Sequence, residues 1–136
     1  EECAHLFATT GSKYSAVADS HYQIVTAATL EENDAILFFS YSGATKDMMD
    51  TMRIAKKKKG KIILVTHFPN SPGAAYADVI LQCGADESPL QLGSIGARIA
   101  QLYLMDILFS EVCRRNLDMC RERRSAIADA LTEKHL

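Results

Sequence analysis

Residues 35–45, AILFFSYSGAT, limit what this chain can fold into more than any other stretch. An almost unbroken apolar run ends abruptly in Ser40, Ser42, Gly43 and Thr45, and a helical pattern begins at about Thr45. Two more apolar runs, residues 61–66 (KIILVT) and 77–83 (ADVILQC), are also nearly continuous rather than alternating. Continuity of that kind marks strands of a parallel sheet covered by helices on both faces. Residues 13–18 are a weaker fourth strand candidate. Helical spacing lies between the runs, over residues 20–30 and 45–59, where Met48, Met49, Met52 and Ala55 fall on one face. Strand alternating with helix makes the fold class α/β.

The boundaries carry their own chemistry. Asp19 or Ser20 can cap the first of these helices. Gly60 stands where a helix-ending residue in left-handed conformation is favoured. Residues 56–59 are four lysines at a helix C-terminus, a placement that suits the helix dipole and keeps them in water. A polar loop is expected at 85–93, then helix from about Ser94 to the end. Residues 99–109 are apolar almost all round, so one face should pack on the sheet and the other on a partner subunit. Further on, Cys113, Leu117, Cys120, Ile127 and Leu131 form an apolar stripe interrupted by Arg124.

Composition narrows the function. With 136 residues, 48% of them hydrophobic and 24% charged, the chain suits one globular domain. A net charge of -2 gives it no general attraction for a nucleic-acid backbone. The apolar stretch at 99–109 is far short of the ~20 residues of a membrane span, and no secretory leader is visible, so a cytoplasmic location and no membrane partner are expected. Cys3, Cys83, Cys113 and Cys120 lack close CxxC pairing and read as reduced core thiols, with no metal and no cofactor expected.

In a parallel α/β sheet ligands sit beyond the carboxyl ends of the strands, where loops lead into helices. There the free N–H groups and positive dipole end of a helix face an anion. Ser40, Ser42 and Thr45 add hydroxyl donors, and Gly43 lets the backbone come close or adopt an unusual φ. A phosphate could be held there without a metal. No Walker lysine and no GxGxxG accompany the loop, which disfavours nucleotide phosphates. A plain polar turn with a helix cap is the alternative these residue types leave open.

The segment FFSYSGATKD resembles the signature of the SIS (sugar isomerase) domain family. Residues 19–23 (DSHYQ), Val65-Thr66 with Asn70-Ser71-Pro72, Ala77-Asp78 and residues 94–108 (SIGARIAQLYLMDIL) resemble successive parts of that domain in RpiR-type transcription regulators. The resemblance implies a three-layer, doubly wound, flavodoxin-like parallel sheet and a non-catalytic domain sensing a phosphorylated sugar. It implies DNA contact only through a helix-turn-helix domain upstream, and a homodimer or tetramer built on the C-terminal helices. It casts Ser40, Ser42 and Thr45 as phosphate-binding hydroxyls, with Tyr41 and Gly43 contributing backbone, and Ser94 as a sugar contact, although a helix N-cap is its plain alternative. His21 and Glu87 lie on loops expected at the same edge, with His67 a lesser candidate. If the domain were instead an aldose–ketose phosphosugar isomerase, Glu87 or His21 would be the base. A phosphate-free interaction module is the third possibility. One departure stands out: the family's first helix, first strand and serine-bearing glycine turn have no counterpart near residues 1–7. A single, N-terminally incomplete SIS domain over 1–136 is therefore expected, with a gap beside the 13–18 strand in the family's 2-1-3-4-5 sheet.

Overall fold

Asp19 opens the α/β part of the chain. Its carboxylate accepts the Tyr22 N–H at 3.0 Å, resolving the choice of N-cap in its favour and starting helix α2 (Ser20–Ala28). The computed structural model describes residues 2–84, 86 and 95–134. Around α2 come α1 (Glu2–Ala8), β1 (Ala35–Phe39), α3 (Lys46–Lys57), β2 (Lys61–Thr66), a 3-10 turn (Pro72–Tyr76), β3 (Val79–Gln82), α4 (Ile95–Arg115) and α5 (Leu117–Lys134). Two compact units result, one of residues 17–101 and one that combines residues up to 16 with those from 102 onward.

In the first unit the three continuous apolar runs form a parallel sheet in the order β1-β2-β3, with Phe38 opposite Leu64 and Leu64 opposite Ile80. The α/β class with a parallel sheet is thus as expected. Alternate strand residues Phe38, Ile62 and Leu64 are buried against Met48, Met52 and Ala55 of α3 and Ala27 of α2, so the methionine-bearing face read from the sequence is the face that packs. Asp78, expected inside the third strand, lies just before it. Its carboxylate accepts from Lys56 Nζ at 2.8 Å and from the Ile62 N–H at 2.9 Å. These two bonds hold the carboxyl below the usual carboxylate range and fasten the end of α3 to the start of β2.

Residues 13–18 do not form the fourth strand. They run as irregular chain; Tyr14 stacks on Phe7 at 5.2 Å, and the Val17 and Ala18 carbonyls accept from Gln23 Nε2 at 3.0 and 3.4 Å. Small and polar residues there give a ladder little to bury.

Gly60 is also not the left-handed residue. That conformation belongs to Lys59, at φ 62. Gly60 is glycine for space, since a Cβ would lie 3.0 Å from Leu30 Cδ1. A lysine side chain in the left-handed region is strained. Lys59→Gly should therefore raise the unfolding free energy by about 0.5 to 1 kcal/mol, read as a higher urea midpoint at unchanged slope.

The second unit buries Met105 and Phe109 of α4 and Cys120 of α5. The C-terminal tract is two helices, divided at Asn116, whose side-chain amide donates to the Val112 carbonyl at 2.9 Å and competes with the helix ladder. Arg124, the polar break in the stripe, lies 5.3 Å over the Phe109 ring, where a guanidinium belongs. All four cysteines are free, and burial pushes the thiols of Cys3, Cys83 and Cys120 up, which keeps them protonated.

Candidate functional site

β1 ends at the loop Ser40–Thr45 and α3 begins directly after it, so the loop stands at the carboxyl edge of the sheet. Ser40 extends the ladder by one bond, its N–H to the Val65 carbonyl at 3.0 Å. The chain then turns. The Gly43 N–H reaches Ser40 O at 3.2 Å and Ser40 Oγ at 3.1 Å, and the Ala44 N–H reaches Ser42 Oγ at 3.3 Å. Each serine oxygen accepts from the backbone, and a hydroxyl that accepts still has its own proton to donate. Thr45 takes the extended conformation of a helix N-cap, yet its side chain makes no capping bond. Its hydroxyl is exposed and uncommitted to the helix, and the first N–H groups of α3 have no intrahelical partner. Three hydroxyls and a helix N-terminus therefore meet at one turn, half-buried at Ser40 and exposed at Ser42 and Thr45. Asp47 in the first helical turn is the opposing charge, and Lys46 beside Thr45 is the nearest cation in sequence.

The turn is held from behind by the chain that follows β2. Thr66 Oγ1 donates to the Tyr41 carbonyl at 3.0 Å, the His67 N–H reaches the same oxygen at 3.1 Å, and the Gly73 N–H reaches the Gly43 carbonyl at 2.8 Å. Gly43 lies at φ 60, and a Cβ on it would fall 2.0 Å from Ser71 Oγ. Ser71 Oγ is buried without a hydrogen-bond partner, pressed against that glycine. Thr66, Ser71 and Gly73 support the turn, a role that sequence reasoning did not give them although Thr66 and Ser71 lie in segments that resemble the family's. Their only local signal is the Ser71-Pro72-Gly73 turn, which does not say what it touches.

Tyr41 contributes more than backbone. Its ring stacks on His67 at 5.0 Å and 3°, and Phe68 stands perpendicular to both rings at 5.7 and 4.8 Å. His67 Nε2 lies 2.9 Å from Asp86 Oδ1, which as a carboxylate only accepts, so Nε2 carries the proton. Nδ1 then holds the lone pair. It is buried without a partner and faces the backbone at Gly84, where a Cβ would lie 3.8 Å away.

Of the residues singled out from the sequence, Ser40, Tyr41, Ser42, Gly43 and Thr45 are together in one turn, with His67 against Tyr41. His21 is exposed in the first turn of α2, its ring near that of Tyr22 at 6.3 Å, and no described hydrogen bond brings it to the loop. Glu87 and Ser94 lie outside the described residues. Among the described residues, no group of three or more His, Cys, Asp or Glu side chains could hold a metal, and no helix is long and apolar enough to cross a membrane.

Comparison with known proteins places the chain in a family and a fold. The SIS domain family matches residues 1–111. The HTH-type transcriptional regulator RpiR of Escherichia coli (strain K12) is 36% identical over 128 residues, covering 92% of this chain and 43% of that protein. The chain thus spans less than half the length of the curated relatives it matches. Among solved structures, NanR of Vibrio vulnificus, complexed with ManNAc-6P, superposes with a TM-score of 0.88 at 20% identity over 97% of this chain and 50% of that one. The sugar isomerase domain of an RpiR transcription factor from Sphaerobacter thermophilus superposes with a TM-score of 0.79 at 16% identity, over 94% and 70%.

Proposed function

The chain belongs to the SIS domain family, and from that premise we propose that it is the effector-binding domain of an RpiR-type transcriptional regulator of carbohydrate metabolism, sensing a phosphorylated sugar. The observation that carries the proposal is the turn at Ser40–Thr45, which brings three hydroxyls and the N-terminus of α3 together at the carboxyl edge of the sheet. The similarity to HTH-type regulators supports a sensor over an enzyme. In the full-length regulator a helix-turn-helix segment would contact DNA, and effector binding would shift which arrangement of the assembly is populated. Ile99, Tyr103 and Ile107, exposed one turn apart along α4, suit assembly as a homodimer. A regulator of this kind works in the cytoplasm.

A thermal-shift screen of the full-length protein tests this. Hexose and pentose phosphates should raise the melting temperature and the free sugars should not, because a ligand that binds only the folded state stabilises it. Thr45→Ala should weaken the responding phosphosugar about tenfold to a hundredfold and leave the ligand-free melting temperature unchanged, since its hydroxyl caps nothing. No stabilisation by any sugar phosphate overturns the proposal, and aldose–ketose turnover of the bound ligand at ordinary enzyme rates would replace it with an isomerase.

A further inference from the structure

Resting on the phosphosugar reading, we propose that Phe68, buttressed by the Tyr41–His67 stack, is a platform for the C–H face of the ligand's sugar ring, so that this site prefers a ring-closed sugar phosphate over an open-chain one. Phe68, two residues past the carboxyl end of β2, leaves 48% of its surface exposed and so available to a ligand. It is nevertheless rigidly placed. Its N–H donates to Thr66 Oγ1 at 3.2 Å, its carbonyl accepts the Ser71 N–H at 3.0 Å, and its ring lies against both members of the stack. A rigid exposed aromatic loses no rotamer freedom when a ligand covers it.

Position ties the platform to the anion turn. Tyr41 lies between Ser40 and Ser42, and the Thr66 hydroxyl that accepts from Phe68 donates to the Tyr41 carbonyl. One threonine therefore sets the turn and the platform relative to each other. In this proposal the sugar attached to a phosphate at Ser40, Ser42 and Thr45 extends towards these rings, which Thr66 ties to the same turn. The axial C–H groups of a pyranose or furanose are its apolar side and cover an aromatic face as one flat patch; an open-chain polyol cannot present such a patch without ordering several bonds. His67 serves here as an aromatic support, its Nε2 held 2.9 Å from Asp86 Oδ1 and its Nδ1 buried.

Calorimetric affinities of the full-length protein for glucose 6-phosphate, sorbitol 6-phosphate and inorganic phosphate test the platform. The wild type should prefer glucose 6-phosphate to sorbitol 6-phosphate. Phe68→Ala should weaken glucose 6-phosphate about tenfold, leave inorganic phosphate unchanged and erase the ring preference, while Phe68→Trp should retain it. An equal loss for all three ligands would make Phe68 a support for the loop alone, and an unchanged preference in Phe68→Ala would remove it from the site; either result overturns the platform and leaves the effector reading standing. Should no sugar phosphate stabilise the wild type in the thermal-shift screen, both readings are overturned.

Discussion

Gly43→Ala should abolish phosphosugar binding and lower the unfolding free energy by about 2 to 4 kcal/mol. Two separate penalties meet at this residue. Its φ of 60 lies in the left-handed region, which costs a residue with a Cβ about 1 to 2 kcal/mol. The added methyl would also stand 2.0 Å from Ser71 Oγ, 2.6 Å from Ser71 Cβ and 3.1 Å from Thr66 Oγ1, so the turn has to leave the chain that braces it. Displacement of about 1 Å is enough to take Ser40 and Ser42 away from an anion. Chemical denaturation and calorimetry on the same variant read both effects. The penalties can be separated, because Gly43→Ala combined with Ser71→Gly removes the collision and retains the backbone strain. The double variant should recover more stability than the sum of its parts allows, the mark of residues in direct contact. Additive losses would mean that the turn is not held by Ser71.

Those penalties were only half visible in the amino-acid sequence. The strands AILFF and KIILVT and the methionine face of α3 were legible because their information is local, an apolar run or a 3.6-residue period that survives in any context. The Ser40–Thr45 turn was legible as a type of site because strand, hydroxyls, glycine and helix follow one another directly. What braces it was not. Thr66 meets Tyr41 across 25 residues of sequence, and Gly73 reaches Gly43 across the whole of α3 and β2. No window of sequence contains both partners. The misplaced strand at residues 13–18 and the misread Gly60 have the opposite cause. Each had an acceptable local pattern that packing overruled, Tyr14 being claimed by Phe7 and the space at Gly60 by Leu30. Asp78 was drawn into a strand by the apolar residues that follow it, while its two hydrogen bonds assign it to the junction of α3 and β2.

The bracing can be broken from its far side. Gly73→Ala should destabilise the protein by about 1 to 3 kcal/mol and weaken phosphosugar binding at least tenfold, although residue 73 is 30 positions from Gly43 and supplies nothing to the ligand. The new Cβ would lie 2.8 Å from the Gly43 carbonyl oxygen and 2.8 Å from Met48 Cε, and Gly73 also donates its N–H to that carbonyl at 2.8 Å. A methionine end can swing away, but a backbone oxygen moves only with its turn. Gly60→Ala is the matched control: its Cβ would meet side-chain atoms of Leu30 alone, Cδ1 at 3.0 Å and Cβ at 3.3 Å, and no atom of the loop. Both substitutions cost stability, and only Gly73→Ala should cost affinity. Equal affinities in the two variants, measured where both are fully folded, would show that the turn keeps its shape without the 3-10 segment. Pre-organisation would then reside in Ser40, Gly43 and Thr66 alone.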